Sequence, residues 1–134
     1  ASLPPVYYDT KMAYKGSMPH ICARGTKCEL KDGVWYAPFA PLAQYIGAKV
    51  EKSEGEVLID MFDITAIFKE GSGYALVDGK EFDLGAEVYR LKNQLMMPAQ
   101  KAGEIFDIRC KYIEYNNLLD FESIREESPL SEQP

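Results

Sequence analysis

The chain contains a single histidine, a single tryptophan and three cysteines in 134 residues, and its apolar runs are only a handful of residues long. Runs such as Val57 to Ile59 fall far short of the roughly 20 residues that span a bilayer as a helix, which excludes membrane insertion. No dense lysine or arginine cluster offsets the 21 acidic against 15 basic residues, and a net charge of -6 repels phosphate backbones. Nucleic acid is therefore excluded as a partner. There is no phosphate-cradling glycine loop, no nucleophile elbow and no paired CxxC, and the one histidine lies far in sequence from most serines. The expectation is a protein that is not an enzyme and needs no cofactor.

What is present suffices for an ordinary folded body. Hydrophobic residues make up 46% and charged residues 27%, values that exclude disorder and fibres, and the length allows a core without metal or disulfide support. No secretory leader opens the chain at Ala1, and ASLPP fits a mature terminus or a point within a linker equally well. Asp32-Gly33 and Asp78-Gly79 are hairpin signals, with weaker ones at Glu54-Gly55 and Asn116-Asn117. Between them ITAIF (64–68), GYALV (73–77), KEFDL (80–84) and EVYRL (87–91) read as strands.

Two segments carry helical spacing instead. Phe39, Leu42, Ala43 and Ile46 place apolar side chains on one face, with Pro38 suited to the first turn and Gly47 to the end. Pro41 is tolerated only within that first turn, so the helix starts no earlier than about Ala37. Sixty residues on, Pro98, Ala99, Ala102, Gly103 and Phe106 repeat the pattern, and Ala48–Val50 and Leu58–Asp60 align with Ile108–Cys110 and Leu118–Asp120. These positions predict two strand-helix-strand-strand copies, about 32–61 and 92–121, inside one domain over 1–121, followed by a polar tail or linker over 122–134. The fold class expected is α+β, mainly antiparallel sheet on two short helices.

The segments DGVWYAPFAPLAQYIGAKVE and VDGKEFDLGAEVYRLKNQLMMPAQKAGEIFDIRCKYIE resemble the copper amine oxidase N-terminal domain-like modules, or stalk domains, over roughly 30–121. The second copy departs from the pattern, with Asp107 where the helix-ending glycine stands and Gln100-Lys101 at a more apolar start. The resemblance implies a non-catalytic structural or protein-interaction module of a secreted or cell-surface bacterial protein. Its implied partners are other domains or proteins at that surface. The oxidases themselves resemble one another in an Asn-Tyr-Asp/Glu-Tyr cofactor sequence and three copper-binding histidines. Here only His20 and the non-matching EYNN are found, so copper oxidase activity is not expected.

The remaining candidates are few. Cys22 and Cys28 suit a small disulfide loop in an oxidising compartment, and with His20 they form the one cluster of metal-capable atoms; no metal is expected. Cys110, in an apolar strand context, reads as core. Carboxylates such as Asp60, Asp63, Glu126 and Glu127 are read as solvated charges rather than a glycosidase pair. Aromatic binding residues are Trp35, Tyr7, Tyr8 and Tyr14, whose rings suit a protein anchor or stacking on a sugar, so a carbohydrate-binding module for polysaccharide is the alternative. Trp35 and Tyr36 point to opposite faces of a strand, and the resemblance makes Tyr36 the core member and Trp35 the outer one, competing with a role in covering a sheet or helix edge. Self-association through an open sheet edge is a third reading.

Overall fold

The computed structural model describes residues 10–16 and 27–124. The first hairpin joins β2 (Glu29–Lys31) to β3 (Val34–Ala37) through Asp32 and Gly33, both at positive φ (52° and 79°), the geometry whose twist matches that of the flanking strands. Pro38 then stands as the N-cap of α1 (Phe39–Ile46), one position before the first turn rather than inside it. The helix buries Phe39, Leu42 and Ala43 and stops at Gly47, whose φ of 115° is open to a residue without Cβ. Its N–H closes the helix by donating to the carbonyls of Ala43 and Gln44.

Strands β4 (Lys49–Ser53), β5 (Glu56–Met61), β6 (Ile64–Lys69), β7 (Tyr74–Val77) and β8 (Lys80–Asp83) follow as an antiparallel meander in that order. Its inner face carries Val57, Ile59, Ala66, Phe68 and Ala75, all buried, as period-two alternation requires. Next come β9 (Tyr89–Leu91) and β10 (Gln94–Pro98), then α2 (Ala99–Ile105), β11 (Ile108–Ile113), a 3-10 turn over Glu114–Asn116 and β12 (Leu118–Ser123). β1 (Lys11–Tyr14) lies parallel to β12, giving the order β1-β12-β11, and the remaining sheet runs β2-β3-β10-β9. The class is α+β: mainly antiparallel sheets on two short helices.

The order strand, helix, strand, strand occurs over 34–61 and again over 94–123, and the two segments meet where β3 pairs antiparallel with β10 through Ala37 with Met97 and Tyr36 with Pro98. Their second hairpins differ. Lys49 faces Asp60, whereas Arg109, 60 residues after Lys49, faces Glu122, 62 residues after Asp60. The 3-10 turn accommodates two more residues than the Glu54-Gly55 turn, so the fixed offset expected for Leu58–Asp60 and Leu118–Asp120 does not survive it. An even shift preserves side-chain parity, so the apolar pattern hides the change.

Phe39, Phe106 and Phe121, each fully buried, form the centre. Phe39 stacks on Phe106 (centroids 6.1 Å apart, 11° between planes) and meets Phe121 edge-on at 5.8 Å. Such pairs add about 0.5–1.5 kcal/mol each to the burial of their rings. Behind them α2 presses on β11 at Gly103, where an added Cβ would lie 2.3 Å from the Ile108 carbonyl oxygen. Sixty residues earlier the matching helical position tolerates Ala43. Gly103→Ala is expected to lower stability by about 1–3 kcal/mol as helix and strand are forced apart, despite the better helix propensity of alanine. Urea unfolding at neutral pH checks this; an unchanged or raised midpoint contradicts the close approach.

Candidate functional site

Aromatic side chains gather on both faces of the β2-β3-β10-β9 sheet, because adjacent residues of β3 point opposite ways. Tyr36, 5% exposed, lies on the face turned away from the main core cluster and meets Tyr89 edge-on with centroids 4.8 Å apart. The Tyr36 hydroxyl donates to the Glu87 carbonyl at 2.9 Å, and that of Tyr89 donates to Glu29 Oε1. Lys31 Nζ sits 4.1 Å from the centre of the Tyr89 ring. Burial raises both phenols, chiefly by disfavouring the phenolate; the Glu87 charge adds to this for Tyr36, and the hydrogen bond to Glu29 for Tyr89. At neutral pH these are fixed donors with satisfied partners, not acids or bases.

On the other face Trp35 is half-buried. It stacks on Tyr112 of β11 (centroids 4.8 Å, 23°) and packs against the core. The expected assignment of Tyr36 to the core and Trp35 to the outside is thus corrected: Trp35 takes the core-packed face, where it bridges the first hairpin to the last with one ring face closed by Tyr112, while Tyr36 is buried on the opposite face against Tyr89. Tyr112 in turn donates to Asn117 Oδ1 at 2.8 Å, the same oxygen that accepts from Thr10 at 2.7 Å. Tyr14, also half-buried, lies edge-on to Tyr45 of α1 at 6.2 Å with Lys15 Nζ 5.7 Å from its ring. Thus the structure does not bring Trp35 and Tyr14 together as one platform; each seals a different joint. Tyr7, Tyr8, His20, Cys22, Glu126 and Glu127 lie outside the described residues.

Cys28 is buried, and its N–H donates to the Thr10 carbonyl at 2.8 Å; the candidate disulfide depends on Cys22. Cys110 is core, as expected, and burial, assisted by the charge of Asp120, pushes its thiol up to about 12. Asp120, 8% exposed, accepts the Gly16 N–H at 2.8 Å and so fastens the end of β1. Asp60 is exposed on β5 and Asp63 occupies the β5–β6 turn. Among the described residues no three His, Cys, Asp or Glu side chains gather where a metal ion would fit, and no helix is long and apolar enough to cross a membrane. Sequence reasoning missed Leu58, Ile67 and Leu76, which lie on the outer face of the five-stranded sheet; the unbroken run Val57–Ile59 carried the signal, since alternation leaves one of its members outside.

The fold and its tied-down polar groups define a small β-rich module whose buried hydroxyl and carboxyl groups hold structure together. The copper amine oxidase N-terminal domain family matches residues 26–119, and the chain belongs to that family of non-catalytic, stalk-like domains. No curated protein and no solved structure matches it.

The raised Cys110, Tyr36 and Tyr89 groups share one consequence. Each stays protonated in the folded chain at a pH where the unfolded chain has lost the proton, so their linked stability is present below the ordinary values of 9.0 and 10.0 and falls as pH rises. Urea midpoints measured from pH 8 to pH 11 are expected to decline from about pH 9 upward, with Cys110 unreactive toward iodoacetamide in folded protein at pH 8. Rapid labelling of Cys110 under folding conditions contradicts the burial argument.

Proposed function

We propose that this chain is a non-catalytic structural or protein-interaction module of a secreted or cell-surface bacterial protein. On this reading it is built from two copies of one strand-helix-strand-strand unit, about 32–61 and 92–121, with residues 122–134 as a tail or linker. The observation that carries the reading is the family match over 26–119, which spans both helices and the strands between them. The aromatic geometry supports it. Trp35, Tyr36, Tyr89 and Tyr112, the ring-bearing residues of the β3 region, are engaged with one another or with backbone and carboxylate partners. A spacer needs such stiffness, and it comes from joining the two units through β3 and β10 and through the three phenylalanines.

Two measurements test this. Removing residues 92–121 takes away β10, one of the two partners of β3, together with Phe106 and Phe121, so the remainder is expected to lose cooperative unfolding and near-ultraviolet circular dichroism. A stably folded remainder contradicts the interlocked units. Co-sedimentation of the whole chain with insoluble bacterial cell wall and a panel of polysaccharides is expected to show no saturable binding. Trp35→Ala run alongside is expected to cost about 1–3 kcal/mol of stability, less than the roughly 3–5 of a fully buried ring. Saturable polysaccharide binding that a folded Trp35→Ala protein loses transfers the function to carbohydrate recognition.

A further inference from the structure

The five-stranded sheet has a second face. Opposite the core, register places Glu51, Leu58, Ile67, Leu76 and Glu81 in one row across β4, β5, β6, β7 and β8. Leu58, Ile67 and Leu76 are half-buried and point away from the core, and beside them Tyr74 is 50% exposed. With strands about 4.8 Å apart, the three aliphatic side chains span roughly 10 Å and the two glutamates stand roughly 19 Å apart. The charged residues sharing that face are Glu51, Glu56, Asp60, Glu81 and Asp83 against Lys49, which lies 3.8 Å from Glu51, and Lys69, which faces Glu56, so an apolar centre lies inside a border of net acidic charge.

We propose that this outer face is a docking surface for a partner protein whose contact region presents aliphatic side chains bordered by lysine or arginine. The inference rests on the reading of the chain as an interaction module and adds the surface and the partner's chemistry. Charge decides the occupant. A second copy related by a twofold axis would set acid against acid across the row, in a chain whose net charge is already -6. An anionic lipid surface or a nucleic acid is repelled by the same border. A basic-rimmed partner is steered in by it and then desolvates the aliphatic row, with Tyr74 as the kind of amphipathic ring that anchors such contacts.

The test uses the full chain and three synthetic peptides: a leucine-bearing centre between lysine pairs, the same centre between glutamate pairs, and a serine centre between lysine pairs. Titration calorimetry is expected to show saturable binding of the first, with the other two at least about tenfold weaker. Ile67→Glu is expected to weaken the first peptide by about tenfold or more. The exposed double variant Glu51→Lys/Glu81→Lys, which leaves the inner face untouched, is expected to erase the preference between the first two peptides. Equal binding of the leucine- and serine-centred lysine peptides, no binding of the first to folded chain, or insensitivity to Ile67→Glu overturns the proposal. So does concentration-dependent self-association that Ile67→Glu abolishes. If binding maps instead to Trp35 and Tyr112 by amide shifts, the module reading stands and this surface fails. Turnover of a substrate by the chain removes the module reading itself, whatever the peptides do.

Discussion

Everything in this domain hangs on three phenylalanine rings that come from distant parts of the chain. Phe39 opens α1, Phe106 closes α2 and Phe121 lies in β12, yet they share one fully buried centre. A helix of eight residues or fewer is marginal without tertiary support, so both helices depend on packing against strands and rings. Beside the strands of its own segment, each helix meets the other through the Phe39–Phe106 stack. The β3–β10 ladder adds directional hydrogen bonds to that non-directional burial and fixes how the segments meet.

The two segments reach the same helix by different local chemistry. α1 ends on glycine, and its Ala43 leaves room for a side chain facing the following strand. α2 sits closer to its strand, needs Gly103 for that approach and hands the left-handed position to Asp107 at φ 58°. Aspartate tolerates that region better than most residues, so the exchange is a small strain rather than a broken cap. Phe62 is a harsher case at φ 56° in the β5–β6 turn, a conformation a bulky residue seldom adopts. Its ring packs against the core, and burial of that size outweighs about 1–2 kcal/mol of backbone strain.

Legibility followed the strength of local signals. The helices were readable because proline, glycine and a four-residue apolar stripe converge on the same few positions, and the hairpins because Asp-Gly pairs take positive φ at both turn residues. The register of the last hairpin was not, since a two-residue insertion keeps inward residues inward and leaves no trace in the pattern. Trp35 was half legible: alternation separates it correctly from Tyr36, but its stack on Tyr112 joins residues 77 apart, and no local rule reports such a pairing. Parallel pairing of β1 with β12 was hidden for the same reason.

Those long-range pairings also say where recognition has room to operate. The aromatic residues that composition marks as binders are used up in joints: Trp35 between hairpins, Tyr14 against α1, and Tyr36 with Tyr89 between β3 and β9. Changing any of them to suit a partner loosens the body that presents it. The outer face of the meander carries no such burden, because its strands are already fixed by Ile59, Ala66, Phe68 and Ala75 on the opposite side. Alternation decouples the two faces, so Leu58, Ile67 and Leu76 are free to answer to a partner while the residues between them answer to the core.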